Sequence, residues 1–146
     1  MTLPKLMRTV VVGVDGSAQS IRALLFAASL VEDLPDAELI VGHARYVGYL
    51  MAPPHVTEDE FSDVLDEDER YVDATVSRVL EGRALRWSIE RREGEPSRVL
   101  RDIARDADAY LLIIGRQGRT NIEESLLGSV SNRLVHRSEI PVLVIR

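Results

Sequence analysis

The chain has no cysteine, a single lysine, two phenylalanines and one tryptophan in 146 residues. Without cysteine there are no disulfides, thiolate nucleophiles or cysteine-ligated metals, which fits a reducing compartment. The one lysine, Lys5, precedes every glycine of the chain. A Walker lysine and the G-x-x-x-x-G-K-[ST] loop that needs it are therefore excluded. No apolar run approaches the length of a membrane span, and M-T-L-P-K-L-M-R-T has no signal-peptide core. The expectation is a soluble, cytoplasmic protein with no membrane partner. A basic stripe is missing too. Net charge is −6, and Glu58, Asp59, Glu60, Asp63, Asp66, Glu67, Asp68 and Glu69 hold eight of the 24 acidic residues. Removing those eight leaves 16 acidic against 18 basic residues. An acidic chain so balanced argues against nucleic-acid binding.

What is present suits one domain over residues 1–146. Hydrophobic residues make up 45% of the chain, and a chain of this length buries about two-thirds of its unfolded surface. Arg8 to Val14 is a β-branched apolar run without alternation, as in a central strand buried on both faces. Asp15-Gly16-Ser17 is the turn after it, and Ser17 caps a helix with the stripe Ile21, Leu24, Leu25, Ala28 and Val31. Glu38 to Arg45 reads as a second buried strand, and Val47 to Val56, with Gly48, Pro53 and Pro54, as a loop. Thr57 and Glu60 form a capping box ahead of Phe61, Val64, Leu65, Val72, Val76 and Val79. The acidic cluster is then expected to start this helix and coat its outside as a solvated face.

Leu85, Trp87 and Ile89 alternate with polar residues, as on an edge strand. Glu95-Pro96-Ser97 starts a third helix that points Val99, Leu100, Ile103, Ala104 and Ala107 inward. Tyr110 to Ile114 is a fourth strand, Gly128 to His136 a last helix and Val142 to Ile145 a last strand. Strands alternating with helices imply an α/β fold: a three-layer, open, parallel five-stranded sheet with helices on both faces. With strand order 3-2-1-4-5, ligands belong at the switch point between strands 1 and 4. The last strand, apolar throughout, is then an exposed edge that invites pairing. A homodimer through Val142–Ile145 follows, the alternative being burial by helices alone.

The stretch Ile114 to Val130, I-G-R-Q-G-R-T-N-I-E-E-S-L-L-G-S-V, carries the strongest functional signal. A buried strand runs into Gly115; Gly118 follows, and Gly128-Ser129 opens a helix. Glycine lets a backbone approach a ligand closely, and the unpaired first amides of a helix suit a phosphate. The alternative is that Gly115 is a strand-end turn, Gly118 a bend and Gly128 a helix start. The spacing Gly-x2-Gly-x9-Gly-Ser, the opening V-V-V-G-V-D-G-S and the tail S-V-S-N-R-L-V-H-R-S-E-I-P-V-L-V-I-R resemble the ATP-binding subgroup of the universal stress proteins. The resemblance runs from Arg8 to Arg146.

The resemblance implies ATP, with or without Mg2+, as ligand and a dimeric, nucleotide-responsive role in stress survival. It places Gly115 against the ribose and Gly118, Gly128, Ser129, Val130 and Ser131 around the phosphates, with the two serine hydroxyls as added donors. It puts Asp15 in the adenosine pocket, although an Asx-type turn with Gly16-Ser17 explains that residue equally in local terms. It also implies contacts from Gly13 and Val14, a backbone hydrogen bond from Ala44 to the base, and packing of Ile114 on the nucleoside. Arg119 either reaches a phosphate as a bidentate donor or is a solvated loop charge, and the same holds for Arg116. Glu123-Glu124 either helps hold magnesium through water or faces solvent.

No catalytic residue stands out. The first turn, G-V-D-G-S-A, is not G-x-G-x-x-G, and His43, His55 and His136 lack metal spacing. A slow ATPase or other nucleotide-processing enzyme of a related fold is the alternative, although S-G-G-x-D-S and H-x-G-H are both absent. The other is a dimerisation module with a vestigial nucleotide site.

Overall fold

The computed structural model describes residues 7–45, 55–117 and 127–146. In chain order it contains β1 (Arg8–Gly13), α1 (Ala18–Asp33), β2 (Ala37–Arg45), α2 (Glu58–Leu80), β3 (Arg86–Glu93), α3 (Pro96–Asp106), β4 (Leu111–Gly115), α4 (Ser129–Arg137) and β5 (Val142–Ile145). The strands form one sheet in the order β3-β2-β1-β4-β5, and every pairing is parallel. This is the expected open α/β architecture.

Alternate residues of β1 explain the three layers. Val10 and Val12 join a core with Leu24, Ala27, Ala28 and Val31 of α1 and Val72 and Val76 of α2. Val11 joins a second core with Val99, Leu100 and Ile103 of α3 and Leu134 of α4. Side chains of a strand point to opposite faces in turn. One central strand therefore feeds both cores, which is why it shows no polar alternation.

The helix starts follow the local chemistry. The Ser17 hydroxyl accepts from the Ser20 amide, Thr57 and Glu60 make the reciprocal capping box, and Pro96 sits in the first turn of α3. The buried stripes are less faithful to the sequence. In α1 the inward face includes Ala23 and Ala27 while Leu25 is 44% exposed, so small residues bring this helix close to the sheet. In α2, Val64 is 46% exposed, and Thr75 and Leu80 are buried instead. Tyr110 is also exposed, ahead of a β4 that begins at Leu111.

The two sheet edges differ. β3 carries Arg86, Glu90, Arg91, Arg92 and Glu93, charges that discourage another strand from adding there. β5 is Val142-Leu143-Val144-Ile145, half-buried at every residue and without a charge.

Gly13 and Gly42 are register partners on β1 and β2. A Cβ at Gly13 would lie 2.6 Å from Leu100 Cδ1, and one at Gly42 would lie 2.8 Å from Leu100 Cδ2. The paired glycines thus form a trough that takes Leu100 of α3 and lets α3 pack down on the carboxyl end of the sheet.

Candidate functional site

The carboxyl ends of β2, β1 and β4 open onto a crevice of about 410 Å³. Gly13, Val14, Asp15, Ala44, Ile114, Gly115, Gly128, Ser129, Val130 and Ser131 all line it. The structure thus brings together every sequence-derived site residue except Gly118 and Arg119. Those two, with Glu123 and Glu124, lie outside the described residues.

The crevice has two chemically distinct ends. On the β2 side lie Ala44, His43, Arg45 and the α2 residues Val64, Leu65, Asp68 and Glu69. On the β4 side lie Arg116, Gln117 and the first turn of α4. α4 begins at Ser129 with Gly128 as its N-cap, and no side chain caps it. The other three helices each start with a side-chain oxygen accepting from the first turn. The Ser129, Val130 and Ser131 amides have no intrahelical acceptor by geometry, and they carry the positive end of the α4 dipole. That end of the crevice suits an anion.

Protein backbone crowds two of the glycines. A Cβ at Gly115 would lie 3.0 Å from the Gln19 backbone carbon and oxygen, in the first turn of α1. A Cβ at Gly128 would lie 3.1 Å from both Arg116 O and Gln117 Cα. Neither residue has a positive φ; the glycine of this region that does is Gly16, at φ 86° in the turn after β1. Gly115 and Gly128 are therefore small because protein backbone crosses them, and their role in the site is to let α1 and α4 converge on the β4 exit.

Arg116 is the hub of that convergence. Its amide donates to Ile145 O at 2.8 Å, and its carbonyl accepts from the Gly128 amide at 2.8 Å and the Ser131 hydroxyl at 2.6 Å. The Gly128 amide and the Ser131 hydroxyl, both expected to serve a phosphate, are instead occupied in holding α4 against β4. The Gln117 amide donates to Gln19 Oε1 at 2.7 Å and ties the same loop to α1. Among the described residues Arg116 Nε is buried without a hydrogen-bond partner, and Arg116 lines the crevice.

Asp15 makes the Asx turn: its carboxylate accepts from the Ser17 amide at 2.8 Å, and its own amide donates to Ser20 Oγ at 3.3 Å. The carboxylate is thereby fixed at the crevice wall.

The acidic face of α2 is not solvated throughout. Glu58, Asp59, Glu60, Asp63 and Glu67 are exposed as expected. Asp68 and Glu69 turn inward, and Asp66, its side chain 49% exposed, pairs with a β2 arginine. Arg45 pairs with Asp66 at 3.2 Å and Glu69 at 3.0 Å, and His43 Nε2 lies 3.6 Å from Asp68. Asp68 and Glu69 form part of the β2-side wall, where β2 supplies the basic partners.

The chain matches the Universal stress protein family over residues 7–146. It belongs to that family.

Universal stress protein Rv1636 of Mycobacterium tuberculosis is 32% identical over 148 residues, covering 94% of this chain and 95% of its own. Among solved structures, hypothetical protein MJ0577 superposes with a TM-score of 0.82 at 25% identity, covering 95% of each chain. A universal stress protein in complex with cAMP superposes with a TM-score of 0.62 at 28% identity, covering 96% of this chain and 97% of that one. In this universal stress protein, sequence reasoning missed His43, Leu65, Asp68, Leu100 and Gln117 as crevice residues. For Leu100 and Leu65 the signal was their core periodicity, which does not tell a core position from a pocket floor. For Gln117 no signal existed, since its role depends on Gln19 nearly a hundred residues away.

Proposed function

We propose that this chain, acting as one unit over residues 1–146, binds ATP in the crevice between β1 and β4 and responds to its occupancy. The observation that carries the reading is the uncapped N-terminus of α4 at one end of a 410 Å³ crevice. A universal stress protein 28% identical to this chain is solved with cAMP, which supports an adenine nucleotide as the ligand class.

The two ends of the crevice suggest an orientation. The nucleoside belongs on the β2 side, with Ala44 offering backbone atoms to the base and Gly13, Val14, Asp15 and Ile114 lining the nucleoside. The phosphates belong on the β4 side, at the Ser129, Val130 and Ser131 amides and the Arg116 guanidinium, beside Gly115 and Gly128. Gly118 and Arg119 are proposed on that side by their place in the chain, and Mg2+ would arrive with the triphosphate. Backbone donors and a guanidinium hold charge but abstract no proton from water. Binding with at most slow hydrolysis is therefore the function this arrangement favours.

The apolar β5 edge, next to a charged β3 edge, supports a homodimer through Val142–Ile145. We place the protein in stress survival through its family, as a cytoplasmic nucleotide-dependent regulator; among the described residues no helix is long and apolar enough to cross a membrane. Calorimetric titration of the purified chain with ATP, ADP, AMP and cyclic AMP tests the reading. One site per chain supports it, and no heat with any of the four removes it.

A further inference from the structure

α3 and α4 pack side by side on one face of the sheet, and a second cavity of about 160 Å³ lies between them. Its walls include Arg98 and Arg101 of α3 and Arg133 and Arg137 of α4, together with Glu95 and Ser97. Four arginines and one glutamate thus line the groove in a chain whose net charge is −6.

That carboxylate is already engaged. Glu95 accepts from the Ser97 and Arg98 amides at 3.1 Å each and pairs with Arg133 at 3.1 Å. Arg101 reaches Asp102 only at 3.8 Å. The side chains of Arg98 and Arg137 join no ion pair among the described residues. Like charges three or four residues apart on a helix repel, as Arg98–Arg101 and Arg133–Arg137 do. Arg98 also lies in the first turn of α3, where the helix dipole disfavours a cation. An anion held among these side chains would offset both penalties. The guanidinium fork matches the oxygens of a phosphate group and bonds them bidentately.

We propose that this groove is a second anion site, separate from the β1/β4 crevice, for a small phosphate-bearing polyanion such as pyrophosphate. Size argues for the phosphate moiety alone. The cavity is well below the roughly 300–1,000 Å³ of pockets that enclose drug-sized ligands, so a nucleoside does not fit with it.

The test is calorimetric titration of the full chain with sodium pyrophosphate at physiological salt, with sodium sulfate as comparison. With the β1/β4 crevice filled by excess ATP, one saturable site is expected, binding pyrophosphate more tightly than sulfate. Arg98→Ala/Arg137→Ala should weaken it roughly tenfold or more, the loss expected for charge-assisted hydrogen bonds. Arg98→Lys/Arg137→Lys should retain more affinity than the alanine pair. Both arginines are exposed, so the unfolding midpoint without ligand should not fall and nucleotide affinity should not change. Pyrophosphate affinity unaltered in the alanine pair would overturn the proposal by placing the ligand elsewhere. So would non-saturating heats equal for pyrophosphate and sulfate, which would mean a diffuse charged surface.

Discussion

His43 donates its Nδ1–H to the carbonyl of Val14 across 2.8 Å. A carbonyl only accepts, so Nδ1 carries the proton and Nε2 is left 3.6 Å from Asp68. The bond ties the exit of β2 to the residue after β1, inside the crevice wall, and the ring is 3% exposed. His43→Phe keeps a ring but strips the Val14 carbonyl of this partner. The expected cost is about 1–3 kcal/mol of folding stability. Urea unfolding measures it, and a midpoint equal to wild type would mean that the bond adds nothing to folding.

Gly115→Ala and Gly128→Ala should separate packing from binding. At Gly115 the new methyl meets the Gln19 backbone in α1, so the loss should appear mainly as stability, about 1–3 kcal/mol. At Gly128 it meets Arg116 O and Gln117 Cα, which sets the position of the α4 amides. Nucleotide affinity should then fall by about 1–3 kcal/mol in a folded protein, as for losing aligned charge-assisted hydrogen bonds. Thermal unfolding and calorimetry on both variants give the two readouts.

Leu100 and the trough beneath it should be energetically coupled. Gly42→Ala crowds Leu100 Cδ2 and should cost about 1–3 kcal/mol. Leu100→Ala alone should also destabilise, by about 2–5 kcal/mol. Combining them relieves the clash, so the double variant should be more stable than the sum of the singles predicts, by at least about 0.5 kcal/mol. Additive losses would show that α3 does not depend on the glycine pair for its approach.

Much of this was legible in the sequence for a physical reason. The Ser17 and Thr57 caps and the β-α alternation are local signals, and each reappears in the folded chain. The alternation expected on β3 does not: Trp87 is 37% exposed while Glu90, Arg91 and Arg92 are half-buried. Gly115, Gly128 and Ser131 were singled out for a ligand, and in the fold each also meets protein groups. Two are crossed by backbone from α1 or from the loop after β4, and the third has its hydroxyl on Arg116 O. Contacts across such distances in the chain leave no trace in spacing. The pairing of Asp66, Asp68 and Glu69 with β2 was hidden likewise, because it depends on Arg45 and His43 from another element.

Acid should erode stability at two helix starts. Hydrogen bonds from the Thr57 amide and hydroxyl hold Glu60 below the ordinary value of 4.5. Burial pulls Glu95 upward, but the Ser97 hydroxyl, the Ser97 and Arg98 amides and the Arg133 charge outweigh it and hold it below 4.5. A folded value below the unfolded one means the stabilisation is complete above the unfolded value and is lost as pH falls through the folded value. Urea unfolding of wild type and Glu95→Gln should therefore differ most near neutrality and converge in acid. A gap that widens on acidification would reverse the sign assigned here.

The β5 edge admits a clean disruption. Pro141 and Ile145 direct their carbonyls to β4, so Val144, one residue out of phase, directs its N–H away from the sheet. Val144→Pro should remove that outward donor while leaving the β4 ladder in place. Sedimentation velocity should find a dimer for wild type and a folded monomer for the variant. A variant that stays dimeric would place the interface elsewhere.

Calorimetry with ATP, run in parallel on wild type and Gly128→Ala, tests the central claim most directly. One site per chain is expected in wild type, with binding at least about fivefold weaker in the variant. Equal affinity in the two proteins, or no binding in either, would contradict it.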